Sequence, residues 1–539
     1  MNEVKASLSR RTFLAGGAVA AAAAGLTLAG CGGGGSTDSK PAEGNSTPAA
    51  EPAKGGTLTG GCAYTSTNVN PVGLNGGSAL MLAATWHVFE GLYDLDLHTY
   101  KTYNALAAAD PVKVSDTEYE VTLRDGAKFS NGTAVTTADV ANAFEKNMLD
   151  ATCGAFLSFI DSVAAKDDKT VSIKLKYAFD ALLKGRLSVV KVFPASLTEE
   201  QLKTMPIGSG PWKYDTVNGD DGGTIAYLPN ENYTGSLKAT ADSMKWSILL
   251  DPTARTTALQ ESTIQVMENV PDANGDQLLA AGATVEYIQG FNQPFFMFNT
   301  LKAPFDDYRV RQAFYYAVDV EKLISNQMAG HAASITGFLP EDHANYHKAA
   351  TIYKYDPAKA KSLLKEAGAE SVTLTLVVNN NWVKELAPQI KNDLDAVGIN
   401  CTINEQKINW AEYAASDSAL AYDVMLTPGD PTCFGNDPDL LMNWWYGDNI
   451  WTQGRTCWQK AKDGKWAELQ TLMQSAREEA DAKKQQDLWN QCFDILAEQV
   501  PLYPLFHRAV ATGYRAEKIT GFQPIATTGL VFLGASATA

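Results

Sequence analysis

Tyr119-Glu120-Val121-Thr122-Leu123-Arg124-Asp125-Gly126-Ala127-Lys128-Phe129-Ser130-Asn131-Gly132-Thr133 is the stretch on which the reading of the fold turns. Tyr119, Val121 and Leu123 alternate with polar residues, the period-two pattern of a strand buried on one face. Val171, Ile173 and Leu175 repeat that pattern further on. Between them, residues 139–149 predict a helix with Val140, Phe144 and Met148 on one face and Thr137 as its cap. Outward from this block the pattern becomes strand, helix, strand. Residues 245–250, 252–261 and 264–267 form one such unit. A second runs from a strand at 372–378 through a helix at 383–397, ended by Gly398, to a strand from Cys401. Just before it, Asp356-Pro357 opens a helix that Gly368 closes. Parallel units beside separate antiparallel pieces predict a multi-domain α/β protein.

The N-terminus speaks to compartment. Ser9-Arg10-Arg11-Thr12-Phe13-Leu14 is a twin-arginine export pattern, followed by an uncharged Ala/Gly/Leu run that ends at Leu28-Ala29-Gly30-Cys31. That tetrad reads as a lipobox, with Cys31 lipidated after cleavage; the run is too weakly apolar for an uncleaved span. Residues 32–55, rich in Gly, Ser, Thr and Pro, cannot bury enough surface to offset their ordering entropy and read as a flexible linker. The remaining body is too long for one core. Net charge is −17, and removing a leader of net +2 (Lys5, Arg10 and Arg11 against Glu3) leaves −19. A surface that acidic argues against nucleic acid and against adhesion to anionic lipid other than through the anchor.

Six cysteines remain beyond Cys31. An even number outside the cytoplasm permits disulfides, and Cys433 with Cys457, flanking a Trp-rich stretch, is the first candidate pair. Buried free thiols are the alternative. The chain has no C-x-x-C, no H-E-x-x-H, no G-x-S-x-G, no phosphate-binding G-x-x-x-x-G-K-[ST] and no EF-hand loop, so an enzyme, a metal and a cofactor are all unexpected. His343 and His347 stand four apart but in a loop-like segment. Of 11 Trp, eight lie beyond residue 380, which favours an aromatic-lined cleft there.

Further segments complete a family pattern: Gly55-Gly56-Thr57-Leu58, His87-Val88-Phe89-Glu90-Gly91-Leu92-Tyr93, Ile207-Gly208-Ser209-Gly210-Pro211-Trp212, Pro304-Phe305-Asp306-Asp307-Tyr308-Arg309-Val310-Arg311-Gln312-Ala313 and Val500-Pro501-Leu502-Tyr503-Pro504-Leu505. With the opening block, their order resembles family 5 of the bacterial extracellular solute-binding proteins, the oligopeptide-, dipeptide- and nickel-binding group of ABC importers. The resemblance implies an α/β, two-lobed periplasmic-binding-protein-like fold (type II, cluster C) with an extra domain on the first lobe. Residues 56–76, 195–290 and 507–539 would form lobe one, 77–194 the extra domain and 291–506 lobe two. Chain crossings would fall near 291–299 and 506–513. Gly126, Gly132 and Gly210 would serve turns, and Asp307, Arg309 and Arg311 would cap and brace a helix.

The resemblance also implies a monomeric receptor, not an enzyme, that closes on a small solute or short peptide and presents it to permease and ATPase subunits. The receptor would be held at the cell surface or in the periplasm by its lipid. In peptide binders an Asp after a Tyr/Phe-Asp-Val strand pairs with the peptide ammonium. Here Tyr422-Asp423-Val424 leads to Asp430, with Phe434 close behind, although the family's Trp is missing and Leu426 stands where a basic residue is common. Trp410, Asn381, Trp382, Trp444 and, from the other lobe, Tyr64 complete the expected ligand-binding set. Two other readings stay open: an oligosaccharide stacked on Trp382, Trp410 and Trp444, and an orphan sensory lipoprotein.

Overall fold

The strand begun at Tyr119 is present as Glu118–Thr122, with Tyr119 and Val121 buried. It pairs antiparallel with Thr170–Leu175 inside a four-stranded sheet ordered 112–115, 118–122, 170–175, 160–165. The helix packed on this sheet runs Thr137–Leu149, and its cap is Thr136 rather than Thr137. Thr136 Oγ1 accepts from Asp139 N while Asp139 Oδ2 accepts from Thr136 N, a reciprocal box. Thr137 instead donates to Asp167 O. The computed structural model describes residues 55–73, 79–408 and 422–538. All lie in one compact unit, Pro52–Ala539.

Two larger sheets form the lobes. The first has eight strands, in which Thr57–Cys62 lies between Ser243–Ile248 and Val266–Met267, parallel to both. The expected strand–helix–strand unit is therefore real, with helix Pro252–Gln260, but its crossover steps over the N-terminal strand. The second sheet has five strands in the order 399–406, 372–379, 424–429, 293–298, 502–504. There the second unit forms directly, Val372–Asn379 parallel to Ile399–Gln406. Its helix begins later than the periodicity predicts. Trp382–Leu386 is a 3₁₀ turn and Ala387–Asp395 the α-helix, because Pro388 lacks an N–H and fits only the first helical turn.

The chain passes between lobes twice, side by side. Thr284–Gln289 pairs with Phe506–Tyr514 in the first sheet, whereas Gln293–Phe298 pairs with Leu502–Pro504 in the second. Arg508 N donates to Asn292 O at 2.6 Å and Leu505 N to Pro294 O at 2.9 Å, so the two crossings are hydrogen-bonded together. Ala332–Ser334 departs from the simple division, since it pairs with Phe506–Arg508 on the first sheet.

Most family-pattern residues are structural. Asp307 caps Tyr308–Ala317 and pairs with Arg309; buried Arg311 donates to the carbonyls of Gln499, Phe305 and Asp306. Glu90 and Arg124, from separate blocks, form a two-pronged pair at 3.0 Å. Gly126 and Gly132 adopt φ +71° and +85°, as turns demand. Gly210 has no such φ. A Cβ there would stand 2.7 Å from the Val88 carbonyl carbon, so close backbone packing is its reason.

The expected Cys433–Cys457 bridge is absent: all six described cysteines are free. Cys433 Sγ turns to Asp430 O and Cys457 Sγ to Gln453 O, each satisfied locally. No helix among the described residues is long and apolar enough to cross a membrane.

His87 ties the first lobe to the C-terminal segment, with Nδ1 donating to Ala83 O at 3.1 Å and Nε2 accepting from Phe532 N at 2.9 Å. The bond at Nε2 needs the neutral ring; burial lowers its pKa to about 4, against the Ala83 bond, which raises it. His507 is pushed down to about 3 in the same way. A folded pKa below the ordinary value of 6.5 gives stability that is full above pH 6.5 and declines as pH falls toward 4. The urea midpoint should therefore drop between pH 7 and pH 4.5, and His87→Gln should flatten part of that slope; an unchanged slope would remove His87 from the account.

Candidate functional site

Where the lobes meet, the sequence-predicted residues fall into two groups. The first surrounds Asp430, which follows the strand Val424–Gly429 of the second sheet. Its Oδ1 accepts from Thr432 N at 2.9 Å and Thr432 Oγ1 at 2.6 Å. Oδ2 is sealed from solvent and has no hydrogen-bond partner among the described residues. Burial raises the carboxyl pKa; the Thr432 hydrogen bonds oppose the rise first, the Thr527 hydroxyl adds to them from nearby without reaching hydrogen-bond geometry, and no cation among the described residues does. A buried carboxylate that lacks a counter-charge is costly in an isolated protein and complementary to a cationic ligand.

Tyr64, from the first lobe, faces the same space. Its phenol is pushed up to about 12 by burial first and by the Glu268 carboxylate next; Asp430 contributes in the same direction. Asn269 Nδ2 lies 3.5 Å from the Tyr64 hydroxyl, and Asn269 Oδ1 accepts from Arg508 Nη1 at 2.9 Å. Arg508 also donates to Asp272 at 3.1 Å and lies 4.6 Å over the Trp382 ring. Trp382 therefore stacks on a guanidinium already held by Asp272. The Asn381 side chain caps the 3₁₀ turn by accepting from Val383 N at 3.1 Å. Trp410 lies outside the described residues.

The second group is aromatic. Trp444 and Phe434 pack on Phe156, from the segment between helix Thr137–Leu149 and strand Ile160–Ala165; centroid separations are 5.8 Å and 5.6 Å. The neighbouring closure is ionic. Arg186, 0% exposed on helix Asp180–Leu187, donates from both Nη atoms to Asp437 at 2.9 Å and to Asp439 at 2.7 Å. Asp439 also accepts from Arg477 Nε at 2.6 Å. Its pKa is lowered: burial raises it, and the charges of Arg477 and Arg186 with their hydrogen bonds outweigh that. Asn443 Nδ2 donates to Ala155 O at 3.0 Å beside it. Across the other edge, the Tyr100 hydroxyl donates to Thr432 Oγ1 at 3.2 Å.

Tyr100, Phe156, Arg186 and Thr527 were not among the residues expected from sequence. Asp437-Pro438 signals a helix cap, which Asp437 is, but nothing local marks its partner 251 positions away. Among the described residues no group of three or more His, Cys, Asp or Glu is placed to hold a metal. His343 and His347 are held in their loop by Asn436 O and Asp494.

Two lobes joined by paired crossings, closed over a buried carboxylate, describe a binding protein, and comparison with known proteins says which kind. The description "Bacterial extracellular solute-binding proteins, family 5 Middle" matches residues 101–453. The chain belongs to that family. Its relatives are extracytoplasmic substrate-binding proteins of ABC importers, not enzymes. The glutathione-binding protein GsiB of Salmonella typhi is 26% identical over 482 residues, 86% of this chain and 91% of GsiB. Among solved structures, DppA of Helicobacter pylori in complex with the peptide STSA superposes with a TM-score of 0.76 at 21% identity, covering 90% of this chain and 98% of DppA. AgaA of Agrobacterium, solved with agropinic acid, gives 0.78 at 23%, covering 90% and 99%. These two likenesses bear on fold alone.

Family 5 receptors of this shape switch between open and closed arrangements. Opening would return Arg186, Asp437 and Asp439 to water, so the cost of losing one partner falls on the closed state. Arg186→Met should weaken solute binding by ~2–5 kcal/mol, through faster release, and shift X-ray scattering in solution toward the open form. Unchanged affinity and shape would show that the ion pair follows closure without favouring it.

Proposed function

We propose that this chain is the lipid-anchored capture component of an ABC importer for short peptides. The observation that carries the reading is Asp430, a carboxylate closed between the lobes with one oxygen unpartnered and no cation upon it among the described residues. A peptide's α-ammonium supplies both the charge and the missing hydrogen bonds. Leu426, buried at a position where a cation would read the peptide's far end, leaves length unspecified by that residue. Sugar stacking has weaker support, because the two described tryptophans proposed for it are engaged, Trp382 by Arg508 and Trp444 by Phe156. Export by the twin-arginine route and lipidation at Cys31 belong to the same reading and rest on residues 9–31 of the sequence.

Native mass spectrometry of the purified protein tests the solute class: a ladder of peptide masses supports the reading, and one discrete non-peptide mass replaces it. Asp430→Asn should lower peptide affinity by ~2–5 kcal/mol. Binding should also weaken on acidification beginning above the ordinary carboxylate range near 4, because burial raises the Asp430 pKa and protonation removes the anchor. Unaltered affinity in the variant would discard Asp430 as the anchor. Cys31→Ala should move the protein from the membrane fraction to the soluble one; continued membrane association would rule out the lipid anchor.

A further inference from the structure

Between helix Val320–Gln327 and strand Ala332–Ser334 the chain leaves the second lobe for the first. Leu323, Ile324 and Met328 are buried in the second lobe's core, whereas Ala332–Ser334 pairs with Phe506–Arg508. Ala329 at φ +46° and Gly330 at φ +83° turn the backbone out of the helix. His331 N then donates back to Met328 O at 2.7 Å, which places His331 at the point of exit.

The His331 ring meets side chains of the first lobe. It lies nearly flat on Tyr287 of strand Thr284–Gln289, with centroids 3.5 Å apart and planes 21° from parallel. Its Nδ1 faces Asp272 Oδ1 at 3.4 Å. Both atoms are sealed from solvent, and neither completes a hydrogen bond among the described residues. Asp272 is also the carboxylate that receives Arg508. Burial nevertheless holds its carboxyl above the ordinary range; the Arg508 charge and hydrogen bond oppose that first, and His331 next. One guanidinium therefore does not offset the cost of burying this carboxylate, and a second cation has something to gain. The surrounding elements carry further titratable groups. Asp276 bears on the Tyr287 hydroxyl, Glu286 accepts from Tyr514, Glu321 accepts from Ser334, and the His507 ring stacks on Phe291.

We propose that His331 is a proton-operated tie between the lobes: protonation closes the gap to Asp272 and draws the receptor toward its closed form. The side chain is 34% exposed, so protons reach it, and imidazoles change charge between about pH 5 and 8. An imidazolium gains twice in the closed form, from the Asp272 carboxylate and from the Tyr287 ring face. Opening returns it to water. The contribution is therefore present at low pH and lost as pH rises. It does not depend on which solute is bound.

X-ray scattering of the purified protein in solution at pH 8 and pH 5.5, beside His331→Gln, tests this. The ratio of closed to open molecules should rise about three- to fivefold more in the wild type than in the variant over that range. At pH 8 the two proteins should match. Protonation of Asp430 acts on both alike, so the difference between them reads His331. Equal responses to pH would overturn the tie. A difference already complete at pH 8 would overturn it too, because packing rather than charge would then be the cause.

Discussion

A guanidinium removed from water must be matched, and among the described residues Arg186 is matched by two carboxylates of the other lobe. That constraint organises the closed molecule. Asp437 and Asp439 provide the compensating charge, Arg477 balances the second carboxylate, and the aromatic stack of Phe156, Phe434 and Trp444 adds apolar contact between the same parts of the chain. None of these groups needs to touch a solute. They set how much favourable free energy a solute must add before the closed state prevails, since an ion pair buried at a cost is close to neutral and easily tipped.

The opposite bias is found at Asp430. There the closed state contains a charge that the protein leaves unmatched among the described residues, so closure without a ligand carries an electrostatic penalty. The two sites stand in useful opposition. One holds the lobes together when geometry allows, and the other makes that geometry expensive until a cation arrives. Arg508 is engaged by Asp272 and Trp382 and not by this carboxylate.

Local pattern carried much of the architecture. The alternation at Tyr119, Val121 and Leu123, the Asp-Pro opening at 356–357, where Asp356 caps by accepting from Lys359 N, and the parallel unit at 372–406 all follow from nearest neighbours in sequence, and all are present. Errors came where one residue altered a local rule, as Pro388 did in delaying a helix and Thr136 in capping one. The site was only partly legible. Asp430, Phe434 and Trp444 lie near contacts between distant parts of the chain, while Asn381 is occupied as a cap. Arg186, Phe156 and Tyr100 were invisible because their roles depend on partners hundreds of residues away, a relation that periodicity does not encode. The cysteine pairing failed for a related reason: proximity to the same Trp-rich stretch does not bring two thiols together.

The strand Phe506–Tyr514 lies between Thr284–Gln289 and Val266–Met267, inside the first sheet and not at its edge. The sheet containing the N-terminal strand thus stays incomplete until nearly the whole chain has been synthesised. The five strands of the second sheet, by contrast, all fall between residues 293 and 504 and need nothing from either end. Synthesis from N- to C-terminus consequently inverts the order of maturation. The later-made lobe can finish folding first, and the earlier-made one waits with an unpaired strand for the slow, non-local closure that high contact order imposes. During that wait its exposed strand edges are the part of the molecule most open to misassociation.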